Sequence, residues 1–326
     1  MYKLNYLNYA DAKDVSIEKE LSIDPLSTNV EYEKLSSDLT SKFDFSHLHT
    51  FSFSKEGFLG LMLELKEDIA VSLGESEALI QAAKLYETLG FKVTYIDIKH
   101  NGEIDYKDVE SIKEEYFFVS PYIIDTFVRV DLKKIKELFC GTVISNISAT
   151  LDASLCDIAY FDVYKLSGYC THSVLLHDGL FEEQNIASID TLGVKLISDA
   201  LNKKRENITC KKEFIEALKE SLKDDFFFFV GADATLDNVV HFGLKGIKAR
   251  QVIRNLSLSN IFVTNGEGCS LGLSRPSRII QEMGYTELQS RQALSLSFFK
   301  DLDSEEIQFV ASKIAKSYRQ IKALHG

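Results

Sequence analysis

The sequence predicts an α/β chain: a large domain built on a mostly parallel sheet, joined to a smaller α+β unit. Three observations carry this. Between residues 68 and 205, short β-branched and aromatic runs alternate with segments of helical period. Strands separated by helical segments favour right-handed crossovers and therefore a parallel sheet. Near residue 210 that regular alternation stops, and helices and strands follow in a different order.

The elements read as follows. Residues 69–73 are a short apolar run closed by Gly74. Over 75–89, Ala78, Leu79, Ala82, Ala83, Leu85 and Tyr86 recur at helical spacing, and Gly90 supplies the stop. Residues 93–97 and 116–120 read as strands, and a helix over 131–139 leads into the strand 142–146. Strands over 158–162 and 173–176 complete the large unit. Beyond it, helices are expected over 211–223, 235–245, 276–283 and 304–323, with strands over 226–230 and 260–264. The domain expectation is 14–205 for the large domain, with 1–13 and 206–326 forming the small one.

Composition bounds the function. The 326 residues are 45% hydrophobic and 26% charged, with three prolines, as in ordinary globular chains. The formal net charge of −12 disfavours nucleic acid and anionic lipid, and no basic run exceeds Lys203-Lys204-Arg205. No window approaches the roughly 18 apolar residues of a membrane helix, and the N-terminus lacks a secretory pattern. Five widely spaced cysteines without a CxxC pair read as thiols of a reducing cytoplasm.

One loop stands out, Asn265-Gly266-Glu267-Gly268-Cys269-Ser270-Leu271-Gly272. As a phosphate cradle its glycines are misspaced. As a nucleophile elbow it lacks the acid and histidine that should follow on later strands; only His325 comes after it. The third reading is a glycine-flanked loop carrying a reactive thiol, since glycine permits close backbone approach and a thiol reacts as thiolate in a partly exposed setting. The bland alternative is a small buried hydrophobe.

From Asn260 to Leu324 the chain resembles the small domain of cysteine desulfurases, with Pro276-Ser277, Met283-Gly284 and Arg291 at matching positions. Residues 77–109 and 156–168 resemble that family's large domain, and Tyr6-Leu7-Asn8-Tyr9-Ala10 is similar to its N-terminal motif. The resemblance implies pyridoxal phosphate (PLP) fold type I within class V aminotransferases. It also implies a homodimer, a small amino-acid substrate such as L-cysteine, and a sulfur-acceptor or scaffold partner. Lys165 falls on the aldimine lysine and Cys269 on the persulfide cysteine. Asn146, Lys55 and Thr126 fall on cofactor contacts.

Several positions depart from the family pattern. Asn146 stands where an Asp pairs with the pyridine nitrogen, and Glu75 or a neighbour replaces the ring-stacking His. Asp162 and Tyr164 replace a Ser and a His at the cofactor phosphate, and Ser54-Lys55-Glu56-Gly57 replaces a Gly-Thr cup. Asp125-Thr126 occupies the place of the active-site Asn, and Ser295 that of the carboxylate-gripping Arg. The expectation is therefore twofold: a PLP-dependent desulfurase, or a degenerate family member that binds a partner or relays sulfur without PLP.

Overall fold

The computed structural model describes residues 1–5, 29–181, 189–203, 207–266 and 275–325. In chain order the elements begin with β1 (Tyr2–Lys3), α1 (Val30–Phe43), β2 (His47–Phe51), α2 (Lys55–Leu65), β3 (Ile69–Ser72), α3 (Glu77–Thr88) and β4 (Val93–Ile96). Next come α4 (Tyr106–Glu110), β5 (Tyr116–Phe118), α5 (Leu132–Leu138), β6 (Thr142–Asn146), β7 (Ile158–Tyr160), α6 (Val163–Ser167), β8 (Ser173–His177) and α7 (Thr191–Asn202). The rest are α8 (Lys211–Leu222), β9 (Phe226–Phe227), β10 (Val239–Leu244), α9 (Ala249–Ser257), β11 (Ile261–Phe262), α10 (Arg278–Glu282), α11 (Glu287–Ser290), β12 (Ala293–Ser297) and α12 (Ser304–His325).

Seven strands form one sheet in the order β2-β8-β7-β6-β5-β3-β4. The run from β7 to β4 is parallel, and β8 and β2 are added antiparallel at one edge. Both faces are covered, which is why its strands read as apolar runs rather than alternating ones. Phe58, Leu61, Met62 and Leu65 of α2 and Leu79, Ile80, Ala83 and Tyr86 of α3 pack on one face. On the opposite face lie Leu35 and Leu39 of α1, Ile135 of α5 and Val194 and Ile197 of α7. A third core joins α8, α9 and α12 to the three-stranded sheet β12-β10-β9, while β1 pairs in parallel with β11.

The helix expected over 235–245 is a strand instead. Val239–Leu244 is buried at all six positions, and β10 lies between β9 and β12. A run buried on both faces carries no period to separate strand from helix. Gly243 allows the close packing, since a Cβ there would meet the Phe227 ring at 2.4 Å. The strand expected over 226–230 is only the two-residue β9, and that over 260–264 is β11. The large-unit strands fall at their expected places within two residues. Among the described residues no helix is long and apolar enough to cross a membrane, and no cluster is set to hold a metal.

Two buried histidines tie stability to pH. His177 Nδ1 accepts from the Gly179 N–H (3.1 Å), while its Nε2 is buried without a partner among the described residues. Burial, then the neighbouring His49 and His47, lowers its pKa to about 4. Burial alone lowers His241 to about 3. The unfolded chain binds these protons near pH 6.5 and the folded chain does not, so stability is full above that pH and falls as pH drops toward 4. Each group contributes a slope of at most about 1.4 kcal/mol per pH unit. Melting temperature is expected to fall steadily from pH 7.5 to 5, with His177→Phe flattening part of the decline. A flat profile in the unsubstituted protein would contradict this.

Candidate functional site

A cleft of about 1080 Å³ opens beyond the C-terminal ends of the parallel strands, where open α/β sheets bind ligands. Its walls come from the α2 N-terminus (Ser54, Lys55, Glu56), the start of α3 (Glu77, Ala78, Gln81), α6 (Asp162, Tyr164, Lys165) and the Arg275–Ile279 segment. Five carboxylates (Glu56, Glu77, Asp125, Asp162, Asp190) and four cations (Lys55, Lys165, Arg275, Arg278) line it, so it is no strong trap for an anion.

Lys165 reaches this wall because α6 is a tightly bounded single turn. Asp162 caps it, its Oδ1 accepting from the Lys165 N–H (3.1 Å), and Gly168 ends it at φ 80°, where a side chain would be strained. Burial pushes the Asp162 carboxyl above its ordinary value, against the charge of Lys165 and the N–H groups of Lys165 and Tyr164. The bond from the Asp162 N–H to Ser148 Oγ (2.7 Å) continues inward, because Ser148 Oγ donates to Asn146 Oδ1 (2.6 Å).

Asn146 ends β6 and is fully buried; it does not line the cleft. Its Oδ1 accepts from both the N–H and the hydroxyl of Ser148, and its Nδ2 has no partner among the described residues. Its backbone N–H donates to Ser120 Oγ (3.1 Å). Ser120 also bonds to Glu75 and Tyr160, and the Tyr160 hydroxyl donates to Glu75 Oε2 (3.2 Å). Burial raises both the Glu75 carboxyl and the Tyr160 phenol above their ordinary values.

Of the other candidates, Lys55 lines the cleft half-exposed, with Glu56 Oε1 3.4 Å from its Nζ. Thr126 is fully buried off the cleft, its hydroxyl unpartnered among the described residues. Cys269 and Tyr6–Ala10 lie outside the described residues. Ser295 sits on β12, where its hydroxyl shares a bond with His241 Nδ1 (2.8 Å) and donates to the Asp125 carbonyl (3.4 Å). The structure thus brings Lys165 and Lys55 to one cleft and leaves Asn146 and Thr126 beneath it.

Two features were missed in the sequence. Arg278 Nε meets Glu77 Oε2 (3.0 Å), while Nη1 and Nη2 donate to the carbonyls of Leu73 (2.8 Å) and Glu75 (2.6 Å). Beside it the Ser277 hydroxyl donates to Asp125 Oδ2 (2.7 Å). Tyr160 is the other; its one signal was a bulky phenol two residues before Asp162, in the alternation that points both to one side of the strand end.

No protein-family model matches the chain. The cysteine desulfurase IscS of Clostridium botulinum is 22% identical over 280 residues, covering 76% of this chain and 70% of that protein. Among solved structures, a NifS-like protein from Rickettsia africae superposes with a TM-score of 0.74 at 14% identity, covering 98% and 99% of the two chains. The apo structure of a cysteine desulfurase from Thermococcus onnurineus gives 0.67 at 13% identity, covering 93% and 87%. The chain is cysteine desulfurase-like. Its architecture is PLP fold type I, with a large mostly parallel sheet.

The residues present do not fit pyridoxal phosphate in the pose that the resemblance implies. At the ring-nitrogen position the Asn146 carbonyl is engaged by Ser148, and a neutral amide cannot hold a pyridine protonated. At the phosphate end, Glu56 opposes Lys55 and the Asp162 carboxyl caps α6 instead of receiving an anion.

Arg278 yields a measurable expectation. Its guanidinium hydrogen-bonds to three partners and also pairs with Glu282, and losing it strands the Leu73 and Glu75 carbonyls, whereas Glu77 keeps its bond from Gln81. Arg278→Ala is expected to cost on the order of 2–3 kcal/mol in urea unfolding, with Arg278→Lys recovering less than half, because an ammonium cannot reproduce the planar fork. An unchanged urea midpoint would refute the role.

Proposed function

We propose that this desulfurase-like chain does not run the family's PLP reaction, and that it serves a desulfurase or a sulfur-accepting scaffold as a binding or sulfur-relay subunit. The observation that carries the reading is Asn146, whose carbonyl is held by Ser148 beneath the cleft floor. The engagement of Ser295 by His241, at the place of the substrate-gripping Arg, supports it. A bidentate Arg is the main handle for an amino-acid carboxylate, and a serine cannot replace it. The reading includes a cytoplasmic homodimer, with Cys269 as the thiol that would carry sulfur.

A second reading is favoured by one observation, the place of Lys165 on the cleft wall. In it the chain binds PLP through Lys165 and Cys269 accepts sulfur from L-cysteine as a persulfide.

Two measurements separate them: the absorption spectrum of the purified protein with and without added PLP, and sulfide release from L-cysteine. Under the first reading no visible band develops, and sulfide release does not exceed that of Lys165→Ala. Turnover that Lys165→Ala abolishes would overturn it in favour of the second.

A further inference from the structure

The Tyr160–Glu75 contact has a geometry that capping and packing do not require. Tyr160 ends β7 and Glu75 follows β3, and the sheet order places β6 and β5 between them. Three inter-strand steps at about 4.8 Å set β7 and β3 about 14 Å apart. A 3.2 Å hydrogen bond between the side-chain tips therefore runs across the ends of the two intervening strands. Those ends carry Asn146, the register partner of Tyr160 on β6, and Ser120 just beyond β5. Ile144 and Ile158 lie in the same core as Tyr160, so strand alternation turns Asn146 to that side as well. Phe53 lines the cleft and lies 6.2 Å from the Tyr160 ring, so the cleft wall at Phe53 is backed by the phenol. Tyr160 and Glu75 are each about 1% exposed or less.

We infer that Tyr160 and Glu75 together plug the space over Asn146 and Ser120, so that the chain's own phenol takes the place of a bound aromatic ring. The β3 side of this strip is where chain order reverses, β4 lying on one side of β3 and β5 on the other, which is where a doubly wound sheet opens to ligands. The plug converts that opening into core. Its hydroxyl satisfies the buried Glu75 carboxyl, and its ring packs edge-on against Phe58 (5.5 Å). The inference deepens the functional reading above and rests on it.

The test incubates the full chain with pyridoxal 5'-phosphate, reduces it with borohydride and measures pyridoxyl on Lys165 by mass spectrometry. The proteins are the wild type, the Tyr160→Ser/Glu75→His variant, and that variant with Lys165→Ala. Opening the space is expected to raise labelling of Lys165 about tenfold or more over the wild type, with a visible absorption band that Lys165→Ala removes. A double variant that is folded by circular dichroism but unlabelled overturns the plug and leaves the functional reading standing. A wild-type chain labelled at Lys165 overturns both. If the double variant does not fold, Tyr160→Ala alone decides. Pyridoxine, which has the ring without the aldehyde, is expected to raise its melting temperature by about 2 °C or more and leave the wild type unmoved. No rise in a folded Tyr160→Ala protein overturns the plug.

Discussion

The guanidinium of Arg278 is the fixed point of this molecule. One planar group binds the carbonyls of Leu73 and Glu75 and the carboxylate of Glu77, so the loop from β3 into α3 has one backbone path. That path sends Glu75 inward and Glu77 into the cleft. The adjacent Ser277 hydroxyl on Asp125 and the Ser295 contact to the Asp125 carbonyl hold the C-terminal elements against the same strand ends. Asp125 itself has φ 69°, and Gly266 must be glycine beside it, since a Cβ would meet the Asp125 carboxylate at 2.7 Å. A planar donor fork is suited to such a junction because it fixes direction as well as distance.

Behind this junction the polar groups at the strand ends bind one another. Asp162, Ser148, Asn146, Ser120, Glu75 and Tyr160 form one continuous buried chain of hydrogen bonds. An unsatisfied polar group in such surroundings is expensive, and under the proposed reading these internal bonds stand where a ligand would otherwise be met. The departures from the desulfurase pattern then have a common physical sense. Asp162 works as a helix cap, Ser295 as a partner of His241, and Glu75 as the acceptor of Tyr160.

Much of the fold was legible in the residues. The runs at 69–72, 93–96, 116–118 and 142–146 are β-branched or aromatic and bounded by turns, and all but the half-buried edge strand at 93–96 are buried on both faces, so their apolar character was sufficient. The same signal failed at 239–244, where His241 and Gly243 sit inside a buried strand and no period separates strand from helix. The helix α2, Lys55–Leu65, lay outside the elements expected from the sequence, although Phe58, Leu61, Met62 and Leu65 have helical spacing. Of the site, the family resemblance, through the register of Asp157 and Gly168, pointed to Lys165, which lines the cleft. Tyr160 and Arg278 were not, since a buried tyrosine and a helix-terminal arginine are ordinary by themselves.

The sequence alone determined the fold class, the order of the large-sheet strands along the chain, and the candidacy of Lys165. The first two depend on local pattern, apolar runs and glycine stops, whereas the candidacy of Lys165 depends on the resemblance to the desulfurase lysine segment. Only the tertiary structure decided that β6 and β5 lie between Tyr160 and Glu75, that Asn146 is beneath the cleft rather than in it, and that Arg278 reaches back some 200 residues to Leu73 and Glu75. The reason is that strand order and long-range side-chain pairing are set by how the crossovers pack, which no local period encodes.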